Sequence, residues 1–383
     1  MEKILIADSL KDVRELEWDS ISGSNPFLQY YFLSALEETG CAARNTGWVL
    51  QYILLYRDDK LVAAAPMYLK THSRGEFVFD FAWADAFEKH GLQYYPKAVI
   101  AVPFTPVTGQ RLLGKSTNDK LTVAKAAIQY TSKVGISSIH VLFPNYTDLT
   151  SLKEAGFSIR EGIQFHWRNN KYQDFNEFLN SMKHDKRKKI RQSRNFISKS
   201  NLTFKWLLGT EITNSYLDFF YYCYSKTYYE HRSNPYLSIE FFKTVIQRSP
   251  ESFLLIVAQR ENELIASALN VIGDGVLYGR YWGCSEFISG LHFETCYLQA
   301  IEYCIQNKMG FFEGGAQGEH KIARGLLPTK TYSAHWISDS RFSDAIDNFL
   351  GYETDAVQKY FKELEESVIP PFLALTKSRV KRP

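Results

Sequence analysis

NPFLQYYFL at residues 25–33 returns as NPYLSIEFF at 234–242, and LYRDDKLVAAA at 55–65 returns as AQRENELIASA at 258–268. The two matches come in the same order at nearly the same offset, which unrelated coincidences rarely do, so the chain reads as an internal duplication. Each copy has one grammar. Asn-Pro opens a helix, with Pro in its first turn. A strand, a charged turn (Arg57 to Lys60; Arg260 to Glu263) and a second strand follow.

The rest of each copy extends this pattern. Copy one continues with a helix over 118–134 and a strand over 138–143, copy two with strands over 275–283 and 311–314. Between the latter two, Phe293, Cys296, Tyr297, Ala300, Ile301 and Cys304 recur at helical spacing, which places them on the core face of a helix over 291–306. His292, Thr295, Gln299 and Glu302 fall on its other faces. Strands joined by such a helix next to an antiparallel hairpin make a mixed sheet with helices on it, an α/β or α+β domain. The apolar pattern breaks at Arg168-Asn169-Asn170-Lys171, so domain one is expected at 1–168 and domain two at 169–383. The second adds a capping box, Asp174-x-x-Glu177, a basic helix over 182–199, and a C-terminal helix with a Val357, Tyr360, Phe361, Leu364, Val368 stripe.

Composition narrows the class. The chain has 383 residues, 45% hydrophobic and 23% charged, as ordinary globular proteins do. No apolar run suits a signal peptide or a bilayer crossing, so the expected location is the cytoplasm. The five cysteines contain no C-x-x-C pair, which indicates neither disulfides nor zinc. The H-x-E at His292–Glu294 lacks the later P-C-x-x-C of zinc deaminases. Net charge is +3, yet residues 183–194, KHDKRKKIRQSR, hold seven Lys/Arg and one Asp, so any polyanion contact is local. No motif for reading DNA accompanies it. The tail cations Lys377, Arg379, Lys381 and Arg382 read as a disordered end.

The long stretches FVFDFAWADAFEKHGLQYYPKAVIAVPFTPVTGQRLL (77–113), GRYWGC (279–284), LHFETCYLQAIEYC (291–304) and FFEGGAQGEHKIARGLLPTKTYSAHW (311–336) resemble the N-acyltransferase branch of the FemAB-like, or peptidoglycan biosynthesis/recognition, family. The resemblance implies two tandem GNAT-like domains, each a mixed, mostly antiparallel sheet flanked by helices. It implies transfer of an acyl or aminoacyl group to an amine of a small molecule or peptide. Acyl-CoA or aminoacyl-tRNA would be the co-substrate, with no tightly bound cofactor and no metal. Members that use aminoacyl-tRNA carry a long helical-hairpin insertion in the second domain; here only a short polar stretch follows residue 194.

In such folds two parallel strands splay apart, and the donor lies in the gap against the next helix's N-terminus, where free N–H groups and the dipole suit a pyrophosphate. The strand 311–314, read as buried, ends there in Glu313. Gly314, Gly315 and Gly318 let backbone approach a ligand. An amine acceptor must lose a proton, so Glu313, Glu319 or His320 is the candidate base. Lys321, Arg324 and backbone N–H groups are candidate oxyanion donors. Alternatively Glu319, Lys321 and Arg324 form an ion-pair net that fixes the loop. Gln317, His292 and Glu294 are further substrate-binding candidates. Ser333 and His335 lie two apart on a strand and share a face. In copy one Asp80, Trp83, Lys97, Thr105 and Arg111 are the matching family positions, for substrate or for the domain interface. On the basic helix, Lys186, Arg187 and Arg191 would steer a phosphate-bearing donor such as tRNA. No Ser or Cys stands beside a base, so the amine attacks directly. The competing reading is a non-catalytic module that binds a peptide, glycan or RNA through the basic helix and an aromatic cleft.

Overall fold

The computed structural model describes residues 1–316 and 318–368, so Gln317 and the basic tail lie outside the described residues. The chain packs into two compact units of interleaved segments. Unit one comprises Met1–Gly162, Tyr236–Pro250 and Thr331–Thr354; unit two comprises Ile163–Pro235, Glu251–Lys330 and the chain from Asp355.

The duplication is visible in the backbone. In unit one Tyr52–Arg57 and Lys60–Ala65 form a hairpin whose turn residues Asp58 and Asp59 both take positive φ, the geometry that matches strand twist. Its register slips between Leu55 and Tyr56. The unit two hairpin, Phe253–Arg260 with Glu263–Gly273, slips between Ala258 and Gln259. Leu55 and Ala258 open the two matching stretches, so the same β-bulge recurs at the same repeat position.

Unit one contains two strand sets. Glu2–Ala7 and Leu113–Gly114 flank the hairpin. In the other set, Met67–Lys70 pairs with Trp48–Leu50 and Lys97–Ile100, and Lys97–Ile100 runs parallel to Ser138–Leu142. The intervening helix Thr117–Lys133 begins where Ser116 Oγ accepts the Asp119 N–H. Its Val123, Ala124 and Ala127 are buried with Ile53, Leu55, Ile139 and Val141.

The Asn-Pro motifs do not start α-helices directly. Pro26 lies in a single 3-10 turn, Pro26–Leu28, capped by Asn25, and the α-helix follows at Tyr30–Glu38. In the second copy the helix Ile239–Arg248 starts behind Ser238, whose Oγ accepts the Phe241 N–H. Both helices belong to unit one, where Phe32 meets Phe241 edge to face at 5.3 Å and Arg248 pairs with Glu38 at 2.7 Å.

Unit two is a meander of Leu202–Leu208, Phe253–Arg260, Glu263–Gly273 and Val276–Cys284. Phe311–Glu313 then joins parallel to residues 276–278, and His166–Arg168 pairs with it antiparallel. Each unit thus takes its final strand from the other repeat, because residues 333–337 pair with Ser138–Leu142 in unit one. The unit two core gathers Phe165, Trp167, Phe178, Tyr297, Ile301, Phe312 and Leu364. Of the C-terminal stripe, Leu364 is buried while Tyr360 is exposed. Half of the expected capping box forms: Asp174 Oδ1 accepts the Glu177 N–H at 2.8 Å, while Glu177 Oε2 reaches past the cap to the Gln173 N–H at 2.6 Å. No described helix is long and apolar enough to cross a membrane.

Candidate active site

In unit two Val276, Leu277 and Tyr278 face Phe311, Phe312 and Glu313 in parallel register, and there the pairing ends. Two features mark the point of divergence. The neighbouring ladder passes from the pair Leu269–Tyr281 to the pair Asn270–Gly279, so Arg280 is bulged out. Gly279 lets the Phe312 ring pack close against the strand; a Cβ there would lie 3.1 Å from that ring and 3.3 Å from the Glu313 carbonyl. A cavity of about 140 Å³ there is walled by Asn270, Arg280, Tyr281, Trp282, His292, Cys296, Tyr297 and Phe312, with Gly314 and Gly315 at its lip.

The helix over this gap departs from the α period. Leu291–Phe293 is α-helical, Glu294–Leu298 makes a π turn, and Gln299–Gln306 is α-helical again. One extra residue per turn rotates the buried face, as is frequent at functional sites. Thr295, expected on an outer face, is wholly buried and donates to the Leu291 carbonyl at 2.8 Å. Phe293 and Cys296, expected in the core, are only partly buried. The rotation brings His292, Cys296 and Tyr297 together in the cavity wall.

The strand Phe311–Glu313 is not uniformly buried. Phe312 is fully buried, whereas Phe311 is 45% exposed. Side chains alternate across a sheet, so Glu313 faces away from Phe312 and its helix. Its carboxyl meets His166, with Oε1 3.8 Å from Nδ1, and 15% of its side chain is exposed. Oε2 is buried without a hydrogen-bond partner. Burial pushes this carboxyl up to about 8, against the pull of Arg280. Burial also lowers His166 to about 4, which leaves its ring neutral. Glu313 therefore stands at the last paired position beside the gap, on the opposite face from the helix.

The loop beyond the glycines curls into a 3-10 helix, Glu319–Arg324. Gly318 precedes it at φ 118°, and a Cβ there would lie 2.3 Å from the His320 ring, so only glycine fits. His320 Nε2 is 3.3 Å from the Tyr297 hydroxyl, and burial lowers its pKa. Lys321 is buried and donates to the Gly315 carbonyl at 2.9 Å; burial lowers it to about 8. Arg324 lies 3.5 Å over the Phe293 ring and donates to the His320 carbonyl. Glu319 accepts from the Tyr360 hydroxyl. Burial, with His320 and Arg324 nearby, lowers His292 to about 4. The loop thus brings His292, His320, Lys321 and Arg324 to one opening with Glu313 at its edge, and leaves Glu319 facing outward.

Glu294 points elsewhere. It is buried against the basic helix, His184–Lys199, where Arg194 binds it at 2.9 Å and Glu302 at 2.7 Å. A Cβ on Gly290 would lie 2.7 Å from Ser193 Oγ, and Ile197 and Leu291 share a buried cluster. The first turn of the cavity helix is therefore covered by the basic helix. Lys186 reaches the Ile322 carbonyl at 3.4 Å, while Arg187 and Arg191 reach Asn180.

A second cluster forms in unit one. Ser333 Oγ lies 2.8 Å from His335 Nε2, as their shared face requires, and His335 Nδ1 lies 2.7 Å from His140 Nδ1. His140 Nε2 reaches the Tyr94 hydroxyl at 3.1 Å, and Tyr94 donates to Asp80 at 2.6 Å. Lys97 joins Asp80 to Glu76, and Trp83 packs edge-on to His335 at 4.8 Å. All of these side chains are buried. Burial alone would raise Asp80, but Lys97 pulls it below the usual range; burial raises Glu76. Thr105, bonded to the Pro103 carbonyl, and Arg111, bonded to three carbonyls, belong to neither cluster. The sequence reading missed Trp282 and Tyr297 as cavity walls and His140, Tyr94 and Glu76 as network members. Trp282 and Tyr297 lie inside two of the stretches that carry the family resemblance.

Residues 9–372 match the FemAB-like family, described as peptidoglycan biosynthesis/recognition. No curated protein matches the chain. Solved structures of similar fold include FemX, with 12% identity and a TM-score of 0.53 over 90% of this chain and 100% of that one. L-PGS from Bacillus licheniformis has 10% identity and a TM-score of 0.54 over 90% of this chain and 95% of that one. A conserved protein of unknown function from Bacteroides thetaiotaomicron has 10% identity and a TM-score of 0.52, over 87% and 99%. With its duplicated architecture of two mixed α/β units and a match over nearly its whole length, the chain belongs to the FemAB-like family.

Proposed function

We propose that unit two transfers an acyl group from an activated donor to an amine, with repeat one taken as 1–168 and repeat two as 169–383. The acyl carbonyl lies in the cavity between the parting strands. The amine of a small molecule or peptide enters beside Glu313, where Gly314 and Gly315 form the lip of the cavity. The supporting observation is a largely buried carboxyl at the point of divergence, its Oε2 without a hydrogen-bond partner, raised to about 8, near the optimum for a general base at neutral pH.

The acceptor gives a proton to Glu313 and attacks as the free amine. A C–N bond forms, the tetrahedral oxyanion is met by donors of the cavity wall, and the bond to the leaving thiol or alcohol breaks as that group takes a proton. Attack is direct. Cys296 lines the cavity, but burial raises it well above the usual thiol range, which keeps it a protonated, weakly nucleophilic thiol. His320 is the alternative base, because its ring is neutral and faces Tyr297 at the same opening. The covered first turn of the cavity helix disfavours a pyrophosphate seated on that N-terminus, so a CoA donor would bind by another route.

Thermal-shift titration with acyl-CoAs, aminoacyl-tRNA and short acyl thioesters tests the reading. At least one should raise Tm in a saturable way, and that rise should vanish in Gly279→Leu, whose side chain would crowd Phe312 in the cavity wall. Stabilisation by polyanions alone would favour a non-catalytic module.

A further inference from the structure

We infer that Gln164 is a positioning residue for proton removal: it holds the His166 ring in the Nε2–H form, so that the bare Nδ1 faces Glu313. The inference rests on the reading of Glu313 as the base and deepens it.

The three side chains share one face of the unit two sheet. His166 stands directly opposite Glu313 in the antiparallel pair, and Gln164 lies two residues earlier on the same strand, Ser158–Arg168. Gln164 is buried, and its Oε1 lies 3.2 Å from His166 Nε2. An amide oxygen only accepts, so Nε2 carries the hydrogen of this pair. Burial and the nearby charge of Lys321 keep the ring neutral. A neutral imidazole has one N–H, which leaves Nδ1 a lone pair.

The spacing on the Glu313 side agrees. Nδ1 and Oε1 are 3.8 Å apart, beyond hydrogen-bond reach although the residues are cross-strand partners. An Nδ1–H opposite a carboxylate would close that distance, whereas a lone pair keeps it open. Oε2 lacks a partner as well. The other charged or titratable groups on the pair are Arg280 and Tyr278, from the strand Val276–Cys284, and Lys321 from the loop. Of these, Arg280 favours the carboxylate by its charge. Hydrogen bonds to the ionised form are what hold a carboxyl acidic. With Nδ1 bare, His166 gives none, so Glu313 keeps the proton affinity that a base for an amine requires. Once Glu313 has taken the proton, its O–H can donate to Nδ1, which stabilises the acid form.

The test reads both partners by NMR in wild type and in Gln164→Met, which keeps the length of the side chain and removes the acceptor. Histidine labelled with ¹⁵N in its ring distinguishes the two tautomers, and the His166 signal among the nine histidines is the one lost in His166→Phe. Glutamate labelled with ¹³C at its carboxyl gives the titration midpoint of Glu313, identified by its loss in Glu313→Gln. Wild type should show His166 as Nε2–H at about pH 7. Gln164→Met should shift the ring toward Nδ1–H and lower the Glu313 midpoint by about one pH unit or more. Gln164→Asn, whose shorter amide falls short of the ring, serves if Gln164→Met does not fold. Nδ1–H in wild type overturns the inference, and so does a Glu313 midpoint unmoved by either substitution; both results leave the base reading standing. A Glu313→Gln variant that transfers acyl groups as fast as wild type overturns the base reading and takes the inference with it, whatever the two NMR signals show.

Discussion

Arg111 Nε donates to the Leu142 carbonyl at 2.7 Å, and so closes in unit one the strand end whose counterpart in unit two borders a cavity. Ser138–Leu142 and Phe311–Glu313 are each the second strand of a parallel pair joined by a helix. In unit one the guanidinium also donates to Val107 and Gln110 carbonyls, and Arg111 is 1% exposed. One repeat has filled its strand end with its own side chain, and the other has left it open.

Arg111→Met should therefore act on stability and not on ligand binding. It strips two buried carbonyls and one part-buried carbonyl of their donor, a loss of about 3–5 kcal/mol by analogy with broken buried polar networks. Urea unfolding at pH 7 would measure it. Donor-induced stabilisation in the thermal-shift titration should be unchanged in the folded variant.

Glu313 makes stability fall with rising pH. Its folded pKa of about 8 lies above the unfolded value of about 4.3, so between those limits the folded state binds more protons and ∂ΔG/∂pH is negative. Glu313→Gln keeps the shape and removes the titration. The variant should gain on wild type as pH rises from 5 to 9, by on the order of 4 kcal/mol. Tm across that range is the check.

The histidine pair works in the opposite sense. Burial lowers His140 to about 3 and His335 well below the usual range. The unfolded chain therefore binds more protons below pH 6.5, and stability is lost as pH falls through that value. The expected slope near pH 5 is about 1.4 kcal/mol per pH unit for each histidine. His335→Gln should flatten the acid limb of a Tm–pH curve relative to wild type.

The basic helix separates into structural and exposed cations. Arg194→Ala leaves Glu294 buried without its ion pair, a loss of about 3–5 kcal/mol. Lys188→Ala and Lys189→Ala remove exposed charges and should shift stability by less than about 0.5 kcal/mol. The same pair should elute earlier in salt from heparin resin, whereas an unchanged elution point would show that these lysines meet no polyanion.

Much of this was legible in the sequence. The two matching stretches located both hairpins and their charged turns, because turn chemistry and strand alternation are local; the bulge that follows Leu55 and Ala258 was not legible there. The run after Phe312 located the opening. What was hidden depends on register or on distant chain. The π turn cannot be read from a 3.6-residue period, so Thr295 was misplaced. Glu313 borders the gap as expected, but strand alternation turns its carboxyl to the far face. Trp282 carries no signature as a wall residue, since an indole in a strand usually means core. Arg111 reads as either a substrate contact or an interface residue, because a buried guanidinium bonded to carbonyls leaves no trace in sequence spacing. The exchange of final strands between units was equally invisible, because either partner sheet suits the pattern of residues 163–168 and 331–337.

The central claim is that Glu313 governs proton removal at an acyl-transfer site in unit two. Its most direct test is the rate of acyl transfer from S-butyryl-N-acetylcysteamine to a primary amine as a function of pH, in wild type and Glu313→Gln. The account predicts a wild-type rate that rises with an apparent pKa of about 8, and a Glu313→Gln variant slower by about 10²-fold without that inflection. Equal rates and equal pH profiles in the two proteins would contradict it.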